Sequence, residues 1–226
     1  MTMRTQGLIF DMDGTMIDSM PYHAQSWITF VEQHGITIDV KELLRKTTGR
    51  TGAECMEVLF GRPIPSPEAW TLIQQKEEIY RTLFAPVFTE VQGFKRFCAT
   101  AHASGLRIGV GTAGDKHNIA FAMRHLQMDP LPHAMVGGDE GLPGKPEPAI
   151  FLEAARRIGA DPKACIVFED APFGIEAARR AGMLAVAICT SHSPDELAGD
   201  HVIAHVDHYD ELFASQFLET LHARNP

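Results

Sequence analysis

Two aspartates, Asp11 and Asp13, follow the apolar run Leu8–Phe10 in the segment Phe10-Asp11-Met12-Asp13-Gly14-Thr15. Spaced i, i+2 at a strand end, they can point to one side of the sheet's edge. Aspartate and glycine also punctuate ordinary strand ends, so taken alone the segment reads as a turn. A second acidic pair, Glu169-Asp170, follows another apolar run, Cys165–Phe168, and four acids then stand at the ends of two expected strands. Burying that much negative charge is unfavourable without a cation: two unit charges about 4 Å apart repel by about 4 kcal/mol at an effective dielectric of about 20. Oxygen ligands select a hard divalent ion, most simply Mg²⁺. Such an ion also lets a carboxylate approach a phosphate dianion.

Two further residues supply the complement to an anion. Thr112, after the run Leu106–Val110, offers a hydroxyl and adjoining N–H groups of Ala113 and Gly114 ahead of a helix N-terminus, which makes a phosphate cradle. Lys145, in Gly144-Lys145-Pro146-Glu147-Pro148, offers a point charge held between prolines. Singly, the threonine reads as a cap and the lysine as a solvated loop residue. Together, the order aspartates, threonine, lysine, acidic pair, each after a strand, is hard to obtain by accident.

The elements that must hold these residues alternate. Apolar runs at Leu8–Phe10, Leu106–Val110, Ala134–Val136, Cys165–Phe168 and Leu184–Ile188 read as buried parallel strands. Helical periodicity at His117–Leu126, Ala149–Ile158 and Ile175–Ala181 separates the later ones, and a final helix is expected near Glu211–Leu221. The fold class is therefore α/β, a Rossmann-like doubly wound parallel sheet. Residues 19–87 instead carry helix-period runs around Tyr22–His34, Gly52–Phe60 and Glu68–Phe84 and no convincing strand. They are expected to form a small α-helical cap domain inserted into a core of residues 1–18 and 88–226, lying over the carboxyl ends of the strands where such sheets bind ligands.

Composition narrows the partners. The 226 residues are 45% hydrophobic with a formal net charge of -9, so no sequence-wide cationic field exists for nucleic acid or an anionic membrane. Cys55, Cys98, Cys165 and Cys189 form no C-x-x-C pair, which points to a reducing, cytoplasmic setting. No apolar run reaches membrane-spanning length, and the N-terminal run is too short for a signal peptide. The expected state is a monomer or weak homo-oligomer. His192, His201, His205 and His208 are irregularly spaced and read as surface residues.

The ordered set Asp11/Asp13, Thr112, Lys145 and Glu169/Asp170 resembles the four motifs of the haloacid dehalogenase superfamily over nearly the whole chain. The resemblance implies that Asp11 attacks phosphorus, that Asp13 protonates the leaving group and later activates the acceptor, and that Thr112 grips the transferring phosphoryl. It implies that Lys145 neutralises charge between Asp11 and phosphate. Mg²⁺ would be held by Asp11, the main-chain carbonyl of Asp13 and Asp170, with Glu169 assisting. The eponymous dehalogenases need neither the second aspartate nor a metal, so Asp13 argues for phosphoryl transfer. Tyr22-His23-Ala24-Gln25-Ser26-Trp27 resembles the β-phosphoglucomutase-like group, in which the matched histidine assists the acid/base aspartate.

Substrate contacts are expected from Gly14, His23, Ala113 and Gly114, and from Thr48, Gly49, Arg50 and Lys76 in the cap, where Thr47-Thr48-Gly49-Arg50-Thr51-Gly52 suits a second anionic group. The expected activity is a Mg²⁺-dependent phosphatase acting on a small phosphorylated metabolite, with β-phosphoglucomutase as the alternative. Ser19-Met20-Pro21 also resembles an inorganic pyrophosphatase of the group, but Thr48 stands where that enzyme has glutamate and Asp170 where it has asparagine. A literal G-x-G-x-x-G, Gly109-Val110-Gly111-Thr112-Ala113-Gly114, raises a nicotinamide-dependent oxidoreductase. Its acidic partner, Asp139, comes late, and that reading leaves Asp11, Asp13, Lys145 and Asp170 without a task.

Overall fold

A computed structural model describes residues 5–47 and 49–223, the last two by their backbone alone. Strand β1 (Gly7–Phe10) is buried along its whole length and pairs in parallel with β2 (Arg107–Gly111) on one side and β4 (Cys165–Glu169) on the other. Outside them lie β3 (Ala134–Val136) beside β2, then β5 (Leu184–Ile188) beside β4 and β6 (Val202–Val206) at the edge, giving the order β3-β2-β1-β4-β5-β6. Because the order reverses at β1, a crevice opens at the carboxyl ends of the central strands.

Alternation along the strands builds the two layers. Leu8, Phe10, Ile108, Val110, Ile166 and Phe168 turn to one face, under α5 (Phe94–Ala103), α6 (Lys116–Leu126), α9 (Tyr209–Ala214) and α10 (Phe217–Ala223). Ile9, Val167, Ala185 and Ala187 turn to the other, under α7 (Ala149–Ile158) and α8 (Pro172–Arg180). The glycines of the apparent dinucleotide motif belong to this packing. A Cβ on Gly109 would sit 3.3 Å from Ile158, and one on Gly111 3.0 Å from Phe151, so these glycines let α7 lie close on β2.

Between β1 and α5 come α1 (Met20–Gln33), α2 (Val40–Thr47), α3 (Gly52–Phe60) and α4 (Ser66–Phe84). Prolines in the first turns start α1 and α4, and a Thr51–Glu54 capping box starts α3. The four helices close on their own apolar cluster, including Trp27, Phe30, Leu43, Met56 and Ile73. Tyr80 and Phe84, at the end of α4, instead join the core cluster beside the sheet.

Three differences from the sequence reading stand out. Strand β6 was not expected, since it is a half-exposed edge strand that includes His205 and lacks a continuous apolar run. The short, strongly amphipathic α2 adds a helix to the three expected in the insertion. The closing helix is two helices, broken at Ser215-Gln216, where Gln216 takes a φ of 54°.

Candidate active site

The four strand ends next to the reversal bring their following residues to one point. Asp11, directly after β1, receives a hydrogen bond of 2.5 Å on Oδ1 from Lys145 Nζ. The same ammonium donates to Glu169 Oε1 at 3.1 Å, and Lys145 is only 2% exposed. Glu169 Oε2 in turn accepts from the Asp170 backbone N–H at 2.8 Å. Room for that carboxylate exists because residue 174 is glycine: a Cβ there would overlap Glu169. Thr112, directly after β2, is buried, and its Oγ1 accepts from the Gly114 N–H at 3.0 Å.

Carboxylate oxygens of Asp11, Glu169 and Asp170 can all lie within 4.8 Å of one another. Burial is the main reason their protons are held tightly. It pushes Asp11 up to about 8 against the pull of Lys145, with Glu169 adding to the rise. Glu169 and Asp170 are likewise pushed up to about 7, first by burial. Burial alone would lower the Lys145 ammonium, but Asp11 and Glu169 outweigh it and leave it above its ordinary value.

These residues fit a divalent cation. Asp170 Oδ2 is buried without a hydrogen-bond partner among the described residues. Gly14, at φ 74°, lies against that same oxygen, so any Cβ would collide with it. An orphaned carboxylate oxygen, two neighbouring carboxylates and a space kept open by glycine make a hard-cation donor set. The Asp13 side chain is absent from this cluster.

Asp13 faces the other way. Its Oδ1 accepts from Ser19 Oγ at 2.7 Å and Tyr80 OH at 3.2 Å, with His23 Nε2 3.1 Å away. No described residue donates to its Oδ2. Burial pushes the Asp13 carboxyl up, but the His23 ring, the Ser19 hydroxyl and the Lys76 ammonium hold it below its ordinary value. His23 stacks on Tyr80 with ring centroids 3.8 Å apart. Its Nδ1 lies 2.7 Å from Lys76 Nζ, which is 2% exposed and lies 5.2 Å from the Trp27 ring.

Above Asp11 the insertion closes a cavity of about 110 Å³, lined from below by Asp11, Asp13, Thr112 and Asp170 and from above by His23, Arg50 and Lys76. Arg50 lies over the Phe173 ring at 5.3 Å, and its Nε is buried without a hydrogen-bond partner among the described residues. Gly49, at φ 88°, rests against Phe173 and the Lys145 stem, and Ala113 and Gly114 line the lower wall. Thr48 lies outside the described residues.

Sequence reasoning missed several supports. Ser19 and Tyr80 hold Asp13; a signal for Tyr80 was its spacing four residues after Lys76, which puts both on one helix face. Thr190 Oγ1 donates to the Gly14 carbonyl at 2.5 Å. His192, expected to be a surface residue, is half-buried with Nδ1 2.9 Å from the Asp170 carbonyl. Half-buried His201 is bonded through Nε2 to the Ile175 carbonyl, a packing role, whereas His205 is exposed.

Known proteins resemble this chain. A family model described as haloacid dehalogenase-like hydrolase matches residues 5–182. The chain is 32% identical over 187 residues to fructose-1-phosphate phosphatase YqaB of Escherichia coli (strain K12), covering 82% of this chain and 97% of that protein. It is 30% identical over 190 residues to β-phosphoglucomutase of Bacillus subtilis (strain 168), covering 81% and 83%. The fold matches the crystal structure of a hydrolase from Pseudomonas syringae with a TM-score of 0.83 at 23% identity, covering 94% of this chain and 98% of that one.

Proposed function

The chain belongs to the haloacid dehalogenase-like hydrolases, and from that membership we propose that it hydrolyses a small phosphorylated metabolite, a sugar phosphate in the first instance, with Mg²⁺ as its metal. The observation that carries this reading is the meeting of Asp11, Lys145, Glu169 and Asp170 in one buried group, with Asp13 held beside it by Ser19 and Tyr80. Asp11, Glu169 and Asp170 would hold the Mg²⁺, with Asp13 contributing its main-chain carbonyl. When bound, the ion neutralises charge on the phosphoryl oxygens and lets a carboxylate come near them.

The chain's own residues then supply the rest. A carboxylate oxygen of Asp11 attacks phosphorus, the bond to the sugar oxygen breaks, and Asp13, which takes up a proton as the arriving phosphate dianion raises its carboxyl again, gives that proton to the oxygen. The resulting aspartyl-phosphate is cleaved by a water from which Asp13 takes a proton, releasing inorganic phosphate and restoring Asp11. Lys145 keeps Asp11 aligned and offsets negative charge as the phosphate arrives. Thr112 and the N–H groups of Ala113 and Gly114 would receive the phosphoryl oxygens. Phosphoryl transfer asks for positioning and charge more than covalent variety, and this set supplies both.

Residues 19–87 would act as the cap, with Arg50, Gly49, Lys76 and His23 meeting the part of the substrate that does not react. The likeness to a β-phosphoglucomutase supports a second reading, in which a sugar hydroxyl and not water accepts the phosphoryl group. The four free cysteines fit a reducing cytoplasm, and among the described residues no helix is long and apolar enough to cross a membrane. A panel of phosphorylated metabolites that includes β-glucose 1-phosphate, scored for inorganic phosphate and for glucose 6-phosphate, tests both readings. Phosphate release should dominate; isomer formation outrunning it would transfer the assignment to the mutase, and silence on every phosphomonoester would remove it.

A further inference from the structure

Glu77, on α4, carries a half-buried carboxylate at the edge of the cavity whose one hydrogen bond to the groups assigned to the reaction, among the described residues, comes from Lys76. Its Oε1 accepts from Lys76 Nζ at 3.0 Å, and its Oε2 accepts from Asn118 Nδ2 at 2.7 Å. Asn118 belongs to α6 of the core, is 2% exposed, and accepts on its own side-chain oxygen from Arg81 of α4 at 2.8 Å. From Lys76 the contacts continue to His23 Nδ1 at 2.7 Å, and His23 Nε2, buried and without a hydrogen-bond partner among the described residues, lies 3.1 Å from Asp13 Oδ1, close enough for a small turn of the ring to complete the bond. One line of polar contacts therefore runs from the core helix, through the insertion, back to the carboxylate read as acid and base.

The direction of that line follows from donor chemistry. An ammonium has three donors and no acceptor, so Lys76 at 2.7 Å requires Nδ1 of His23 to be the acceptor. The ring proton is then on Nε2, the nitrogen beside Asp13. Lys76 is an ammonium on a flexible stem, and the Trp27 and Tyr80 rings, 5.2 and 5.6 Å away, attract it without fixing its direction. Glu77 fixes it. Without that carboxylate the ammonium has no anion in contact, and nothing else bonded to it reserves Nδ1 of His23 as an acceptor.

We propose that Glu77 is a positioning residue, anchored by Asn118 across the seam between insertion and core, which aims Lys76 so that His23 presents its Nε2–H to Asp13 only while the insertion rests on the core. The proposal rests on the reading of Asp13 as acid and base. It has a signature that a merely structural role lacks. A sugar alkoxide needs a proton to leave whereas p-nitrophenolate does not, so disturbing the acid should cost the sugar phosphate more.

The test compares Glu77→Ala, Glu77→Gln and Asn118→Ala with the parent chain. For the sugar phosphate turned over best, kcat/KM should fall about tenfold more than for p-nitrophenyl phosphate, a part of the roughly 10²–10⁴-fold that acid–base catalysis is worth. Imidazole ¹⁵N shifts, with the His23 signal assigned by its loss in His23→Gln, should show Nε2–H in the parent and a mixed or Nδ1–H ring in Glu77→Ala. Equal losses on both substrates, or an unchanged His23 tautomer, would overturn the proposal. If Glu77→Ala does not fold, the isosteric Glu77→Gln carries the same two measurements. Full sugar-phosphatase activity in Asp13→Asn would refute the underlying reading instead, and the tautomer measurement would still decide the relay.

Discussion

Asp11, Thr112, Lys145 and Asp170 follow four different parallel strands, whereas His23, Arg50, Lys76 and Glu77 come from helices and a turn with no strand among them. The first set is assembled by topology: once β2, β1 and β4 pair in parallel, their carboxyl ends and the residues after them must meet. The second set is assembled only by side-chain contacts and by the docking of four helices on the core. The contrast teaches where to look for chemistry and where for choice. The floor of the cleft holds the groups assigned to attack and charge neutralisation, and the roof holds groups that can differ without disturbing the sheet.

The largest effect should come from the floor. Asp11→Asn removes the attacking oxygen's charge while keeping the shape of a residue that accepts from Lys145. Phosphate release from p-nitrophenyl phosphate should fall by about 10⁴-fold or more, the scale on which loss of a nucleophile is felt, with the circular dichroism spectrum unchanged. Retained turnover would break the comparison at its base, because the floor would then not be where reaction happens.

Removing the metal should come next. EDTA should silence the enzyme and added Mg²⁺ restore it, and full activity in EDTA would rule out the metal. The carboxyls of Asp11, Glu169 and Asp170 are held up to about 8, 7 and 7 by burial, well above their unfolded values near 4. Their protonated forms stabilise the cation-free fold at low pH, and that contribution drains away as pH climbs from about 4 through about 8. A cation bound to the same oxygens must displace those protons at pH 6 but meets few of them at pH 8. Saturating Mg²⁺ should therefore raise Tm more at pH 8 than at pH 6, measured by thermal scans in both buffers; an equal or reversed shift would detach the metal from these carboxylates.

This division also explains what could be read from the sequence. Asp11-Met12-Asp13, Thr112 and Glu169-Asp170 each stand at the end of an apolar run, so the period that marks the strand also marks their position, while Lys145 is marked by its place between Gly144 and Pro146 in the loop before α7. Glu77 sits in Gln74-Gln75-Lys76-Glu77-Glu78, where every residue suits a solvated helix face, and its partner Asn118 is 41 residues away. Periodicity assigns a face to such residues but not the element that will cover it. His192 was misjudged for the same reason, since its contact with the Asp170 carbonyl depends on the turn after β5 passing the end of β4. Gly109 and Gly111 show the opposite case: their spacing matches a phosphate loop, while their surroundings are Ile158 and Phe151. Local spacing recovers what topology assembles, whereas a contact that packing alone makes, such as Glu77 with Asn118, leaves no mark in it.

A roof variant should sharpen the contrast. Arg50 reaches into the cleft with a buried Nε that has no partner among the described residues, and its guanidinium rests on Phe173. If it receives an anionic or hydroxyl group of the substrate, Arg50→Ala loses a charged hydrogen bond worth about 1.5–3 kcal/mol. On the best sugar phosphate kcat/KM should fall about 10- to 100-fold, while p-nitrophenyl phosphate, which carries no second polar group of that kind, loses only a few-fold. Unchanged kcat/KM on both would make Arg50 a packing residue and move selection elsewhere in the roof.

The smallest expected effect lies on the seam where the two regions touch. Asp115 divides its carboxylate: Oδ1 caps α6 by accepting from the His117 and Asn118 N–H groups, and Oδ2 accepts from Gln74 Nε2 of α4 at 2.5 Å. Gln74→Ala removes the seam bond and leaves the helix cap, so fold stability should barely change. The docked insertion loses about 1 kcal/mol relative to an undocked one, and binding that needs the docked form weakens by about fivefold. KM for the sugar phosphate should rise by that factor with kcat nearly constant, because Glu77 and Asn118 still hold Lys76 once the insertion is down. An equal fall in kcat would mean that the seam bonds act together on Asp13, which would join roof and floor into one catalytic unit. An unchanged KM would mean that docking does not limit binding, and the roof would then select by its contacts alone.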